Sequence, residues 1–166
     1  LPPWLLGAGA HMLTIRATDA SGATASAMSH VTVAAAPKVP AALLATFQRT
    51  LTQSELTGTS SMPGYDAGNQ PPAGVWTIRF GSNDLIALGD PANPTGENET
   101  FQANAGDLTL AGPANWLTPP NLRGGLCEPA PVDLYHWVVK GKVLTITGGA
   151  NCPNRKALFD GRWIRQ

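Results

Sequence analysis

The stretch Gly-Val-Trp-Thr-Ile-Arg-Phe, residues 74–80, decides the fold class of this chain. Its large apolar side chains, Trp76, Ile78 and Phe80, recur at every second position, and the intervening Thr77 and Arg79 are polar. Successive side chains of a β-strand point to opposite sides, so this alternation predicts a strand with one face in a core and one in water.

Further short runs with strand-like composition are divided by turns rich in Gly, Asn and Asp. They cover residues 45–51, 85–88, 99–103, 107–111, 135–139, 143–147 and 158–165. After the first run, Thr52 and Glu55 have the spacing of a capping box, which predicts one short helical turn, and residues 60–73 are predicted to form a surface loop. Eight short strands predict an all-β fold, an eight-stranded up-and-down barrel.

The composition disfavours several classes of partner. Eleven basic and eleven acidic residues give a formal net charge of zero, without a basic cluster, so nucleic acid is not expected as a partner. No apolar run approaches the roughly 18 residues that a membrane span needs, so a membrane span is not expected. Residues 1–6 are too short and too rich in Pro for a signal peptide, so we expect a processed piece of a longer precursor.

The two cysteines, Cys127 and Cys152, each lie in a region rich in Gly and Pro. This setting favours a disulfide between two loops, formed in an oxidising compartment, although two unrelated buried thiols are the alternative. A zinc site would need more Cys or a nearby pair of His residues, so no metal and no cofactor is predicted. The bridge predicts an extracellular location.

A linker rich in Ala and Pro divides the chain. We place a partial N-terminal module at residues 1–36, the linker at 37–44 and the barrel at 45–166. Upstream of the linker, residues 11–18 and 29–34 alternate as two strands around the turn Asp19-Ala20-Ser21-Gly22. This pattern predicts a β-hairpin.

The amino-acid sequence of that hairpin resembles the last two strands of bacterial immunoglobulin-like modules. The similar segment runs from Gly7-Ala8-Gly9-Ala10-His11 to Val31-Thr32-Val33. The resemblance covers about 36 residues, too few for a sandwich of about 100. Because an isolated hairpin is marginal in water, we expect it to dock. Pairing across a dimer or docking on the barrel is favoured over missing upstream strands, since those strands are absent from this chain.

Short segments of the second part resemble bacterial secreted lipocalin-like (calycin) domains. They are Gly74-Val75-Trp76, Tyr135-His136-Trp137, Leu144-Thr145-Ile146, Cys152-Pro153-Asn154-Arg155 and Gly161-Arg162-Trp163. The resemblance covers nearly all of residues 45–166 and implies a lipocalin-like barrel. The Thr-Asp-Tyr motif of many lipocalins has only a partial match, Val132-Asp133-Leu134-Tyr135, which leaves the depth of any ligand cavity open.

The resemblance also implies a structural pair of Trp and Arg. In lipocalins the Trp of Gly-x-Trp closes one end of the barrel, and an Arg from the last strand region packs over it. Gly74 and Trp76 match this motif, and Arg155 is favoured as the partner over Arg162 and Arg165. The contact is chemically sensible because a planar guanidinium can lie on an indole face while its donors reach backbone carbonyls.

Two functions are compatible with these patterns. The resemblance implies an extracellular module that binds a small apolar or amphipathic ligand. The side chains that would line its cavity are Trp76, Ile78, Phe80, Phe101, Leu108, Tyr135 and Trp137. The alternative is a structural or adhesive module of a multidomain secreted protein, whose barrel is filled by its own side chains.

An enzyme is not predicted. Asp133 and His136 resemble an acid and imidazole pair, but a separation of three positions places them on opposite faces of a strand. No Ser lies in the context of a nucleophile elbow, and no Gly-rich phosphate loop follows a strand.

Overall fold

The computed structural model describes residues 7–35, 37–65, 67–81, 85–89, 98–113 and 132–166. The chain divides into two compact units, Leu1–Pro37 and Lys38–Gln166. The first unit contains an antiparallel hairpin of β1 (Gly9–Thr18) and β2 (Thr24–Val33). The Asp19 carboxylate accepts hydrogen bonds from the backbone N–H groups of Ser21 and Ala23, which fixes the turn.

The hairpin has one largely apolar face. Cross-strand pairing puts Leu13 opposite Ser29 and Ile15 opposite Ala27, so these side chains share a face with Val31. Ile15 is 72% exposed, far more than an apolar side chain in a core. Both strands are longer than the predicted runs, because short polar and small residues continue the pairing to Gly9 and Thr24.

The second unit is an eight-stranded antiparallel barrel, which confirms the predicted all-β fold. Its strands are β3 (Thr46–Leu51), β4 (Gly74–Phe80), β5 (Leu85–Gly89), β6 (Asn98–Ala103), β7 (Asp107–Pro113), β8 (Asp133–Lys140), β9 (Val143–Gly148) and β10 (Gly161–Arg165). Each strand pairs with the next along the chain, and β10 pairs with β3 to complete the ring. This up-and-down order is that of a lipocalin-like barrel.

The predicted helical turn after β3 is the two-turn helix α1 (Gln53–Thr59). Its capping box is complete: the Thr52 hydroxyl accepts from the backbone N–H of Glu55, and the Glu55 carboxylate accepts from the backbone N–H of Thr52. The long loop that follows contains one short 3-10 helix, Ala67–Asn69.

The prediction of a continuous strand over residues 158–165 was wrong. The chain first forms the helix α2 (Pro153–Phe159), and β10 begins only at Gly161. The Cys152 sulfur accepts from the backbone N–H of Arg155, and Pro153 occupies the first helical turn, where its missing N–H costs nothing. A short apolar run such as the one at Leu158 fits a buried helix as well as a strand.

Apolar side chains extend the core at both ends of the barrel. The helices attach at one end, where β3 finishes and β10 starts, and we call this the helical end. Leu158 and Phe159 of α2 are fully buried there in the core. At the opposite end, a turn before β3 places Leu43 in the same core with no exposed surface. Within the described ranges, neither helix has the length and apolar content to cross a membrane.

Candidate functional site

The interior of the barrel was the predicted ligand site, and its side chains are tightly packed. Six of the seven predicted lining residues are at most 5% exposed and belong to one core; they are Trp76, Ile78, Phe80, Phe101, Leu108 and Tyr135. Trp137 is half-buried against the same core. A side chain that lined a cavity large enough for a ligand would keep accessible surface, and these six keep almost none.

Three aromatic side chains contact one another inside the barrel. The ring of Phe80 lies edge-on to Phe101, with centroids 5.3 Å apart, and edge-on to Phe47, at 6.2 Å. This is the favoured geometry for aromatic pairs, whose positive edges meet negative faces. Side chains from β3, β4 and β6 therefore meet across the space that a ligand would need.

Arg155 is a fully buried charge at the helical end. It enters the barrel from α2, where its guanidinium lies 3.3 Å from a Glu99 oxygen on β6 and 3.4 Å from an Asp133 oxygen on β8. All three side chains are at most 1% exposed. Buried charges require such pairing, because loss of hydration is costly.

Arg155 thus contacts two carboxylates, and its predicted packing on Trp76 stays a prediction. Trp76 is buried, and its indole N–H donates to the Pro72 carbonyl at 2.9 Å. The guanidinium of Arg49 on β3 lies over another indole, 5.5 Å from the ring centre of Trp163 on β10. This contact joins the first and last barrel strands.

Arg49 also ties the helices to the barrel. It donates to the Leu158 carbonyl at 3.0 Å and to the carbonyl of Asp160, and it pairs with Glu55 of α1. A Cβ atom on Gly161 would lie 2.7 Å from its Nη1, so only glycine leaves room for the guanidinium. The segment Gly161-Arg162-Trp163 was noted in the sequence, but no periodic pattern connects it with Arg49.

The Glu55 carboxyl is held in its charged form. Partial burial opposes the charge, but the backbone and hydroxyl of Thr52 donate to the carboxylate and Arg49 lies beside it, so the pKa of Glu55 is lowered from its usual value. Its charge therefore persists at neutral pH.

A cleft of about 260 Å³ lies between α1 and α2 at the helical end. Its lining includes Arg49, Glu55, Gly58, Thr59, Lys156 and Asp160. The Lys156 ammonium donates to the Gly148 carbonyl at 2.7 Å and pairs with Asp160, one helical turn away. The cleft is thus lined by two cationic and two anionic side chains. Its other lining residues, Gly58, Thr59 and Ala157, are small, and we call them the floor of the cleft.

On the outer surface, His136 pairs with Asp107 on the neighbouring strand, with 2.8 Å between Nδ1 and the carboxylate oxygen. Asp133 faces inward to Arg155, so Asp133 and His136 lie on opposite faces of β8, as their spacing indicates. In the described ranges, no three His, Cys, Asp or Glu side chains come together in a way that could hold a metal ion.

Cys152 is buried at the start of α2, but Cys127 lies outside the described residues, so their disulfide stays a prediction. The ring of eight antiparallel strands is consistent with a lipocalin-like barrel fold. The chain matches no protein-family model, no curated protein and no solved structure.

Tyr135 packs its ring end against the backbone at Gly149. A Cβ atom at Gly149 would overlap the Tyr135 ring, and the residue has a φ of +68°. Burial raises the pKa of the Tyr135 phenol, since its charged form would be poorly hydrated. Gly149 is therefore required for two reasons: its backbone is left-handed, and the Tyr135 ring leaves no room for a Cβ atom.

We expect Gly149→Ala to be more destabilising than Gly141→Ala, measured by urea unfolding. Gly141 has a similar φ of +60° but open space around it, so its substitution carries only the left-handed strain of about 1–2 kcal/mol. The clash with Tyr135 adds about 1–3 kcal/mol for overpacking. Equal losses in the two variants would contradict the tight contact between Tyr135 and Gly149.

Proposed function

We propose that this chain is a structural or adhesive module of a multidomain secreted protein, whose filled barrel acts through its outer surface. The observation that carries the proposal is the near-complete burial of the predicted lining residues, six of which are at most 5% exposed. An eight-stranded barrel has an interior just wide enough to be filled by side chains or to hold one small ligand. Large aromatic side chains on several strands favour filling.

The buried apolar side chains near each end of the barrel support the same proposal. Leu43 at one end and Leu158 and Phe159 at the other are fully buried, so they continue the core beyond the strands. A carrier needs an entrance for its ligand. Transport of a small apolar ligand, which the lipocalin-like resemblance implies, is the competing function.

The proposed extracellular location depends on the predicted bridge between Cys127 and Cys152. The open edges and exposed apolar side chains of the hairpin support a role in contacts between proteins. Its outer strand edges have no partner strand among the described residues, and Ile15 and Met28 are 72% and 68% exposed. Such edges pair readily with another strand, so we propose that the hairpin engages a neighbouring domain or a second copy.

The function of the barrel is tested by titrating the full chain with a panel of fluorescent fatty-acid and retinoid-like probes, followed by tryptophan quenching. We expect no saturable binding to the native chain. Phe101→Ala removes a fully buried ring from the core and should create an apolar cavity that admits benzene or xenon.

Val138→Ala is the matched control, because Val138 is 45% exposed and its truncation opens no interior space. Micromolar binding of a probe to the native chain, lost when the interior is altered and retained in Val138→Ala, would overturn the filled barrel and establish a carrier.

A further inference from the structure

We propose that the cleft between α1 and α2 binds a small zwitterion, a molecule with one ammonium and one carboxylate group such as a free amino acid. The proposal concerns the outer helical end and does not depend on whether the barrel interior is filled. The volume of about 260 Å³ is below the roughly 300–1,000 Å³ of sites for drug-sized ligands, so the cleft suits a smaller molecule.

The charges of the cleft favour a ligand of both signs. Arg49 and Lys156 are positive, and Glu55 and Asp160 are negative, so the formal charge of the lining is zero. A simple anion attracted by the cations would be repelled by the carboxylates, and a simple cation would meet the opposite balance. A dipolar molecule can align each of its charges with a lining group of opposite sign.

Lys156 and Asp160 retain hydrogen-bonding capacity for such a ligand. The ammonium has three donors, of which two reach the Gly148 carbonyl and the Asp160 carboxylate. Asp160 uses one oxygen for Lys156, and its other oxygen accepts no hydrogen bond among the described residues. Their side chains are 29% and 31% exposed, so both groups are reachable from solvent but partly shielded from it.

The other pair of charges is fixed in place. Arg49 is 5% exposed and is held by two backbone carbonyls and by Glu55. Both Glu55 oxygens are also engaged, by Arg49 and Thr52. We infer that this pair supplies a fixed field, whereas Lys156 and Asp160 make the direct contacts: Lys156 to the ligand carboxylate and Asp160 to the ligand ammonium.

The floor of the cleft is open because its residues are small. A Cβ atom added to Gly58 would meet nothing within 4 Å, and the backbone there is not left-handed. Ala157 contributes only a methyl group to the lining. A large side chain at position 58 should therefore occupy the cleft without straining the helix.

The test is an NMR titration of the full chain with glycine, L-alanine and L-serine. We expect saturable shifts of the amide signals of Gly58, Thr59, Lys156 and Asp160. Acetate and methylammonium, each carrying one of the two charges, should bind at least about tenfold more weakly, since each loses one charge-assisted contact.

Two variants locate the site. Gly58→Leu fills the cleft, and Lys156→Gln removes the ammonium group that would bind the ligand carboxylate. Each substitution should weaken binding of the amino acids at least about tenfold. Thr57→Leu is the control on the same helix, because Thr57 is exposed and does not line the cleft. Its affinity should be unchanged, and thermal unfolding of each variant shows whether the fold is retained.

No saturable shift with any of the three amino acids would overturn the proposal. If acetate bound as tightly as the amino acids, the cleft would be a site for anions. If folded Gly58→Leu kept its affinity, the ligand would bind elsewhere. Either result would refute the proposed zwitterion site. If Gly58→Leu does not fold, Lys156→Gln decides, since Lys156 lies on the partly exposed rim.

Discussion

Replacing Arg155 with leucine should lower the free energy of unfolding by about 3–5 kcal/mol, the usual cost of breaking a buried ion pair by removing one partner. Leucine keeps apolar bulk on α2 but leaves the Glu99 and Asp133 carboxylates inside the barrel without the guanidinium. Both carboxylates are at most 1% exposed, so water cannot replace the guanidinium. Guanidinium chloride unfolding at neutral pH measures the loss.

Removing the carboxylate charges from that variant should recover part of the stability. Adding Glu99→Gln and Asp133→Asn to Arg155→Leu replaces two buried charges with amides, whose burial is less costly. Recovery in the triple variant would assign the loss to the charges, and absence of recovery would assign it to packing. A loss below about 1 kcal/mol in Arg155→Leu would contradict the buried cluster, because surface ion pairs contribute that little.

Trp163→Ala should cost about 3–5 kcal/mol, as expected for truncation of a buried Trp. The side chain has no exposed surface, and its indole N–H donates to the Phe159 carbonyl at 3.1 Å. The substitution also removes the ring beneath the Arg49 guanidinium, which loosens the connection between β10 and β3. Urea unfolding followed by circular dichroism gives the change in stability without relying on the lost fluorophore.

Trp137→Ala is the control for Trp163. Trp137 is only half-buried, and its indole N–H donates to carbonyls of the turn between β6 and β7. Its truncation should therefore cost clearly less than that of Trp163. If both substitutions lowered the free energy of unfolding equally, the contact between Arg49 and Trp163 would not contribute the stability expected of it.

The strands were predictable because each one alternates on a local scale. In β4, the buried Trp76, Ile78 and Phe80 are the residues that the two-residue period assigns to the core. The start of α1 was equally local, since Thr52 and Glu55 form the predicted capping box within one turn. Signals within a few residues were therefore sufficient to locate this strand and the first helix.

The helical end of the barrel was not predictable in the same way. Helix α2 is seven residues long, too short for a clear helical period, and Cys152 is an unusual cap. The contacts of Arg155 with Glu99 and of Arg49 with Trp163 join residues far apart in the chain. Only closure of the ring brings them together, so a single sequence has no local pattern that pairs them.

Closure of the ring also constrains when the barrel can fold during synthesis. The last strand, β10, is the hydrogen-bonded neighbour of the first barrel strand, and Arg165 reaches the Ala42 carbonyl from 123 positions away. Until the ribosome releases residues 161–165, the strands made earlier form an open sheet with unpaired edges, which are prone to wrong pairing. Contacts of such long range make folding slow, on the order of milliseconds to seconds. We therefore expect this barrel to acquire its native structure only after β10 has left the ribosome.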